Sequence, residues 1–176
     1  MSEHKFVSPS EGCAALVGLA WRDIGRAASM AWFGFGDEVI VTNHRGTRRT
    51  VNRFSLHIQC PWRICNSTET LIASNDMDYP ARDPQSYWDP SFDLDAFEWD
   101  RQGANWFDQQ VSVIRPLLSS HHLVTRAAVD QLGSLTLEIT PDIRLEAIPT
   151  TSFPIENWRL IRHGQEGYHV VVFDNQ

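Results

Sequence analysis

The sequence predicts an α+β fold on one or two antiparallel sheets of about eight strands, with an N-terminal helix and a second, central helix. Three observations carry this. Ser8-Pro-Ser-Glu11 has the form of a capping box, with Ser8 as N-cap and Pro9 at the first helical position. Phe54-Ser-Leu-His-Ile-Gln-Cys60 alternates apolar and polar residues without a break, the period of a half-buried strand. From Leu123 to Phe173 short apolar stretches recur between turn residues, the pattern of consecutive antiparallel strands.

From the capping box the first helix is expected to run to about Arg26, because Leu16, Leu19, Ala20, Ile24, Ala27 and Ala28 fall at helical spacing. The period then shortens to two. Met30, Trp32 and Phe33-Gly-Phe35, then Gly36-Asp37, then Val39-Ile-Val41 predict a hairpin whose turn uses Gly36 at positive φ. After the polar and basic connection His44–Arg49, a strand over Thr50–Cys60 puts Phe54, Leu56, Ile58 and Cys60 on one face and Ser55, His57 and Gln59 on the other. It breaks at Pro61 into an aromatic and cationic corner, Trp62-Arg63. Asn66–Glu69 reads as a turn and Thr70–Ser74 as a fourth strand.

Residues 75–103 fit no regular element. They hold Pro80, Pro84 and Pro90, a dense set of aspartates, and Tyr79, Tyr87, Trp88, Phe92, Phe97 and Trp99. An irregular excursion of this length inside a compact domain is usually functional, and its aromatics argue against disorder. The second helix is predicted over Ala104–Ile114, with Trp106, Phe107, Val111 and Ile114 on one face and Pro116 ending it. The last third reads as a meander of Leu123–Val129, Leu135–Ile139, Ile143–Ala147, Asn157–Ile161 and His169–Phe173. Glu138 and Arg144 are expected to face each other across its middle hairpin.

The 176 residues suit one domain, and 42% hydrophobic with 21% charged residues is ordinary for a globular chain. The net charge of -7 is uneven. Residues 1–69 carry eight Lys/Arg against six Asp/Glu, residues 70–108 two against nine, and residues 109–176 five against seven. An acidic middle argues against a nucleic-acid partner, which needs a basic face. No apolar run is long enough to span a bilayer, and Met1–Lys5 lacks the layout of a secretion signal, so a cytoplasmic protein with no membrane partner is expected.

Several constellations resemble chemistry without completing it. Cys13, Cys60 and Cys65 have neither disulfide-framework nor zinc-site spacing. His57 and Cys60 suggest a thiolate–imidazole pair, but positions three apart on a strand point to opposite faces. Asp76-Met-Asp78 begins like a calcium loop, yet lacks its glycine and closing glutamate. Asp93, Asp95 and Glu98 supply carboxylates of the kind used in glycoside hydrolysis. His121-His122 point apart on a strand, and Gly34-Phe-Gly36 lacks the third glycine of a phosphate loop. No catalytic residue, metal or cofactor is assigned.

Leu56-His-Ile-Gln-Cys-Pro-Trp-Arg-Ile64, Leu132-Gly-Ser-Leu135 and Glu156-Asn-Trp-Arg-Leu160 give most of the chain a resemblance to a family of small bacterial α+β proteins of uncharacterised function. The resemblance implies a shared fold and carries no activity. By class, small acidic α+β proteins also resemble the immunity proteins that neutralise bacterial toxins.

The sequence therefore points to a non-enzymatic protein-binding module, immunity-type in its most concrete form, with a basic protein as partner. The docking residues are read as Asp89, Asp93, Asp95, Glu98, Trp99 and Asp100, because interface cores favour aromatics and acidic surfaces speed encounter with basic partners. The alternative is a small-ligand binder or hydrolase with a pocket beside Trp62 and Arg63, echoed at Trp158 and Arg159. A homo-oligomer built on sheet edges or tryptophan faces is the third possibility.

Overall fold

The structure, a computed structural model, describes residues 8–42, 45–164 and 169–173. Met1–Lys5 and His44, which entered the sequence reading, lie outside these residues. Two helices, ten strands and three short 3-10 turns make up the described chain. Helix α1 (Pro9–Ala14) precedes strands β1 (Trp21–Ala27), β2 (Met30–Thr42), β3 (Arg48–Ile58), β4 (Trp62–Cys65) and β5 (Thr70–Ala73). Helix α2 (Trp106–Ile114) precedes β6 (Val124–Val129), β7 (Leu135–Ile139), β8 (Ile143–Ala147), β9 (Glu156–Arg162) and β10 (His169–Phe173).

The strands form two antiparallel five-stranded sheets, ordered β1-β2-β3-β9-β10 and β5-β4-β8-β7-β6. The α+β class agrees with the sequence reading, while the strand count exceeds the expected eight or so. The extra pairing comes partly from β4, which the sequence pattern alone presents as a corner after Pro61. Pro61 does break the ladder, but the break moves the chain from one sheet to the other: Ile58 still pairs with Trp158, and Trp62 pairs with Ala147.

One continuous core lies between the sheets. Ile24, Phe33, Leu56, Ile58, Trp158 and Leu160 of the first sheet belong to the same buried cluster as Trp62, Ile64, Leu135, Leu137 and Leu145 of the second. Trp62 stands edge-on to Phe33 at 5.2 Å and to Phe107 of α2 at 5.9 Å, so its indole joins both sheets and the helix. Helix α1 packs against β6 and β10, and α2 against β5 and β1.

Helix α1 starts as predicted, with Ser8 and Glu11 in a reciprocal capping box, but stops at Ala14 rather than continuing to Arg26. Gly18 takes φ 85°, which ends the helical path, and Trp21–Ala27 becomes a strand whose pairing with β2 outweighs its helical spacing. Trp21 and Ile24 still reach the core, across a bulge that shifts their register.

The expected hairpin at Gly36 is also corrected. Gly36 has the anticipated positive φ, 77°, but inside β2, where Gly36 and Asp37 form a bulge between Phe35 and Glu38. A glycine in the left-handed region serves a bulge as well as a turn, and the two look alike in sequence. The hairpin turn lies at Ala28-Ser29, between the paired Ala27 and Met30.

The expected five-strand meander divides. Strands β6, β7 and β8 form it, whereas β9 and β10 cross to the first sheet and pair with β3 and with each other. Glu138 and Arg144 are opposite in register as predicted, yet each is paired with another residue, Arg126 at 3.0 Å and Glu146 at 2.9 Å.

Candidate functional site

The excursion between β5 and α2 is irregular, as the sequence indicates, and it is tied down at its neck. Pro80 and Asn105 form an isolated bridge, the Trp106 N–H donates to the Tyr79 carbonyl at 2.7 Å, and the Ala81 N–H to the Ala104 carbonyl at 2.9 Å. Two short 3-10 turns, Ser74–Asp78 and Pro84–Trp88, give it local shape. Its aromatics form a chain. Tyr79 meets Tyr87 at 5.0 Å, Tyr87 meets Trp88 at 5.2 Å and Phe92 at 5.9 Å, and Phe92 meets Phe97 at 5.7 Å. This gives the segment a small apolar centre of its own.

A buried arginine then fixes it to the first sheet. Arg26 of β1 donates Nε and Nη2 to the two oxygens of Asp108 at 2.8 and 2.7 Å. The same Nη2 lies within 3.2 Å of the carbonyls of Asp100 and Arg101. Asp108 also accepts the Gly103 N–H at 2.7 Å, and the buried N-cap Asn105 donates its amide to the Trp99 carbonyl at 2.7 Å. Residues 99–103 are thus held by side chains whose charges and hydrogen bonds are satisfied. Sequence reasoning overlooked this set. Its one legible trace is the Asn105-to-Asp108 spacing at a helix start, where the Asp108 N–H returns a hydrogen bond to Asn105 Oδ1 at 2.9 Å.

The structure places Asp89, Asp93, Asp95, Glu98, Trp99 and Asp100 together on this excursion, all exposed. Trp88 joins them with 73% of its surface open and Leu94 with 59%. Several acidic groups order the backbone beneath them: Asp89 accepts the Ser91 N–H at 2.8 Å, and Asp93 accepts the Asp95 and Ala96 N–H groups at 3.1 Å. The Ser91 hydroxyl, then its N–H, hold the Asp89 carboxyl below the usual value, so it is charged at neutral pH. Asp76, at the root of the segment, is shifted upward by burial against the opposing pull of the Ala73 N–H. Next to Trp99 a cleft of about 360 Å³ opens, lined by Cys60, Pro61, Met77 and Asp78 among others. No group of three or more His, Cys, Asp or Glu side chains among the described residues is arranged to hold a metal ion.

The Trp-Arg pairs sit elsewhere. Trp62 is 3% exposed and Trp158 fully buried, on separate sheets. Trp158 donates Nε1 to the Gly133 carbonyl at 2.8 Å, and Trp62 Nε1 has no partner among the described residues. Arg63 pairs with Glu146 at 2.6 Å on the outside of the second sheet, and Arg159 forms a close ion pair with Glu156 on the first. Cys13, Cys60 and Cys65 are buried free thiols.

No family model, curated protein or solved structure matches this chain. No helix among the described residues is long and apolar enough to cross a membrane.

Proposed function

We propose that this chain is a non-enzymatic protein-binding module of the bacterial cytoplasm, in which the excursion docks a basic protein. Neutralisation of a toxin, as immunity proteins do, is its most concrete form. One observation carries the reading: a surface rich in exposed carboxylates and an open Trp88 is anchored to the first sheet through residues 99–103 by the buried Arg26–Asp108 pair. A preordered surface loses less conformational entropy on binding, and its carboxylates speed encounter with a cationic partner. The cleft beside Trp99 and Asp78 offers an aromatic ring and a carboxylate to one inserted lysine or arginine.

The test begins with capture of partners from the host lysate at low and moderate salt, followed by association kinetics with the protein retained. The triple substitution Asp93→Asn, Asp95→Asn and Asp100→Asn is expected to slow association and flatten its salt dependence. Trp88→Ala is expected to hasten dissociation. A partner that binds the triple variant at the original rate and salt dependence overturns the reading.

A further inference from the structure

A pole of opposite charge stands at the other end of β2 from the acidic excursion. The excursion is fastened where Arg26 of β1 pairs with Ala31 of β2, beside the turn at Ala28-Ser29. From Ala31, β2 runs on to Thr42, about 35 Å further at the rise of an extended chain. Its second half leaves the sheet. Strand β1 pairs with β2 as far as Phe35, and β9 pairs with β3 from Phe54 onward. Glu38–Thr42 and Arg48–Asn52 therefore pair only with each other among the described residues, as a projecting two-stranded ribbon.

The ribbon concentrates cations as the excursion concentrates carboxylates. Residues 39–53 hold Arg45, Arg48, Arg49 and Arg53 and no Asp or Glu, whereas residues 83–100 hold five Asp and Glu98 and no Lys or Arg. Arg48 and Arg49 are exposed and have no hydrogen bond or ion pair among the described residues. Arg53 reaches Asp37 at 4.0 Å, in an open pair of the kind that contributes little. On the acidic side, Asp89, Asp93, Asp95 and Asp100 form no ion pair among the described residues. The hydrogen bonds that Asp89 and Asp93 accept come from neutral groups, which leave the negative charge uncompensated.

Each pole also carries exposed apolar surface. Ile40 lies opposite Thr50 and Thr42 opposite Arg48, so Ile40, 60% exposed, shares one face of the ribbon with Arg48. The excursion offers Trp88 and Leu94 among its carboxylates. The two surfaces match in both components, charge against opposite charge and apolar against apolar.

Within one copy these poles cannot meet, because β2 holds them apart. Between two copies lying antiparallel, each ribbon faces the other's excursion, and a twofold axis makes both contacts at once. The second contact is then intramolecular, which strengthens the pair. Nucleic acid is the poorer match. The ribbon belongs to a chain of net charge -7, whose acidic end a polyanion repels, while that same acidity is what a second copy offers.

We infer that the ribbon bearing Arg48 and Arg49 docks on the acidic excursion of a second copy, in a reciprocal twofold dimer. This rests on the reading of the excursion as a docking surface for cationic protein, and adds its regulation: a basic partner must displace the second copy to bind.

Sedimentation equilibrium of the full chain tests it. The chain is expected to dimerise at low salt, at concentrations up to about 100 μM, and the dimer to weaken by about tenfold or more at moderate salt. Arg48→Glu with Arg49→Glu sets like charges across both contacts and is expected to leave a monomer. The same is expected of Asp95→Lys with Asp100→Lys. Mixing the two variants sets opposite charges across both contacts again, so the mixture is expected to regain the dimer. Arg48→Gln with Arg49→Gln serves where glutamate disturbs the ribbon, and should weaken the dimer as well. The inference is overturned if the native chain is monomeric at low salt, if the Arg48 and Arg49 variants dimerise as it does, or if the two exchanged variants, both folded by circular dichroism, stay apart when mixed. Duplex DNA bound by a monomeric native chain, and lost with Arg48→Gln and Arg49→Gln, overturns it in favour of a nucleic-acid site. A monomeric chain whose captured partner still responds to Asp93→Asn, Asp95→Asn and Asp100→Asn overturns this inference alone. A dimer governed by the charge exchange, in a chain whose captured partner ignores that triple variant, overturns the partner reading alone.

Discussion

Arg26 and Asp108, 82 residues apart in the chain, meet in a bidentate ion pair with side chains only 2% and 3% exposed. One belongs to a strand of the first sheet and the other to the helix that follows the excursion, so the pair joins the proposed docking surface to the core. Removing one partner of a buried pair leaves an uncompensated charge and costs about 3–5 kcal/mol. Asp108→Ala is therefore expected to lower unfolding stability by about that amount in urea titration. A double replacement by apolar residues of similar volume is expected to cost less than either single change.

A second relationship, between Gly25 and Trp32, lies outside that surface. Gly25→Ala places a methyl group 2.4 Å from the rigid indole, which must move. Overpacking of this kind costs about 1–3 kcal/mol. The expected result is a lower urea midpoint with a change in near-ultraviolet circular dichroism. An unchanged spectrum would mean that the indole does not rest on Gly25.

Much of this architecture was legible locally and little of it globally. The Ser8–Glu11 cap, the inward face Phe54–Leu56–Ile58 and the helix ending at Ile114 follow from spacing alone, because their causes lie within a few residues. The stop of α1 and the bulge at Gly36 depend on what β1 and β2 pair with, and that information is spread over the whole chain. The same holds for the sites. The excursion showed itself by composition, but Arg26 reads as one basic residue on an expected helix face until β1 brings it to Asp108. Arg48 and Arg49 read as part of a basic connection until their pairing with Thr42 and Val41 sets them on a projecting ribbon.

The turn at Ala28 gives a third prediction. Its φ of 51° lies in the left-handed region, the only such non-glycine position among the described residues. A residue with a Cβ pays about 1–2 kcal/mol there, whereas glycine has no such penalty but a more disordered unfolded state. Ala28→Gly is expected to raise stability by about 0.5 kcal/mol, read as a small upward shift of the thermal midpoint with no change in denaturant slope.

The last prediction concerns acid. Asp142, in the turn between β7 and β8, accepts the Ser67 hydroxyl at 2.7 Å and the Ser67 N–H at 3.1 Å. These bonds, the hydroxyl first, hold its carboxyl below the ordinary 3.8, with Arg144 adding a smaller pull. A carboxyl whose folded-state value is depressed stabilises the fold above its unfolded value. That contribution is lost as the pH falls through the folded value. The native chain is thus expected to lose stability between about pH 5 and the region below pH 3.8 more steeply than Asp142→Asn, which keeps the shape of the side chain without the charge. Thermal midpoints of the two proteins should differ most near neutral pH and converge toward the acid end. Parallel curves across that window would place the anchoring of the Asn66–Glu69 turn on contacts other than this carboxylate.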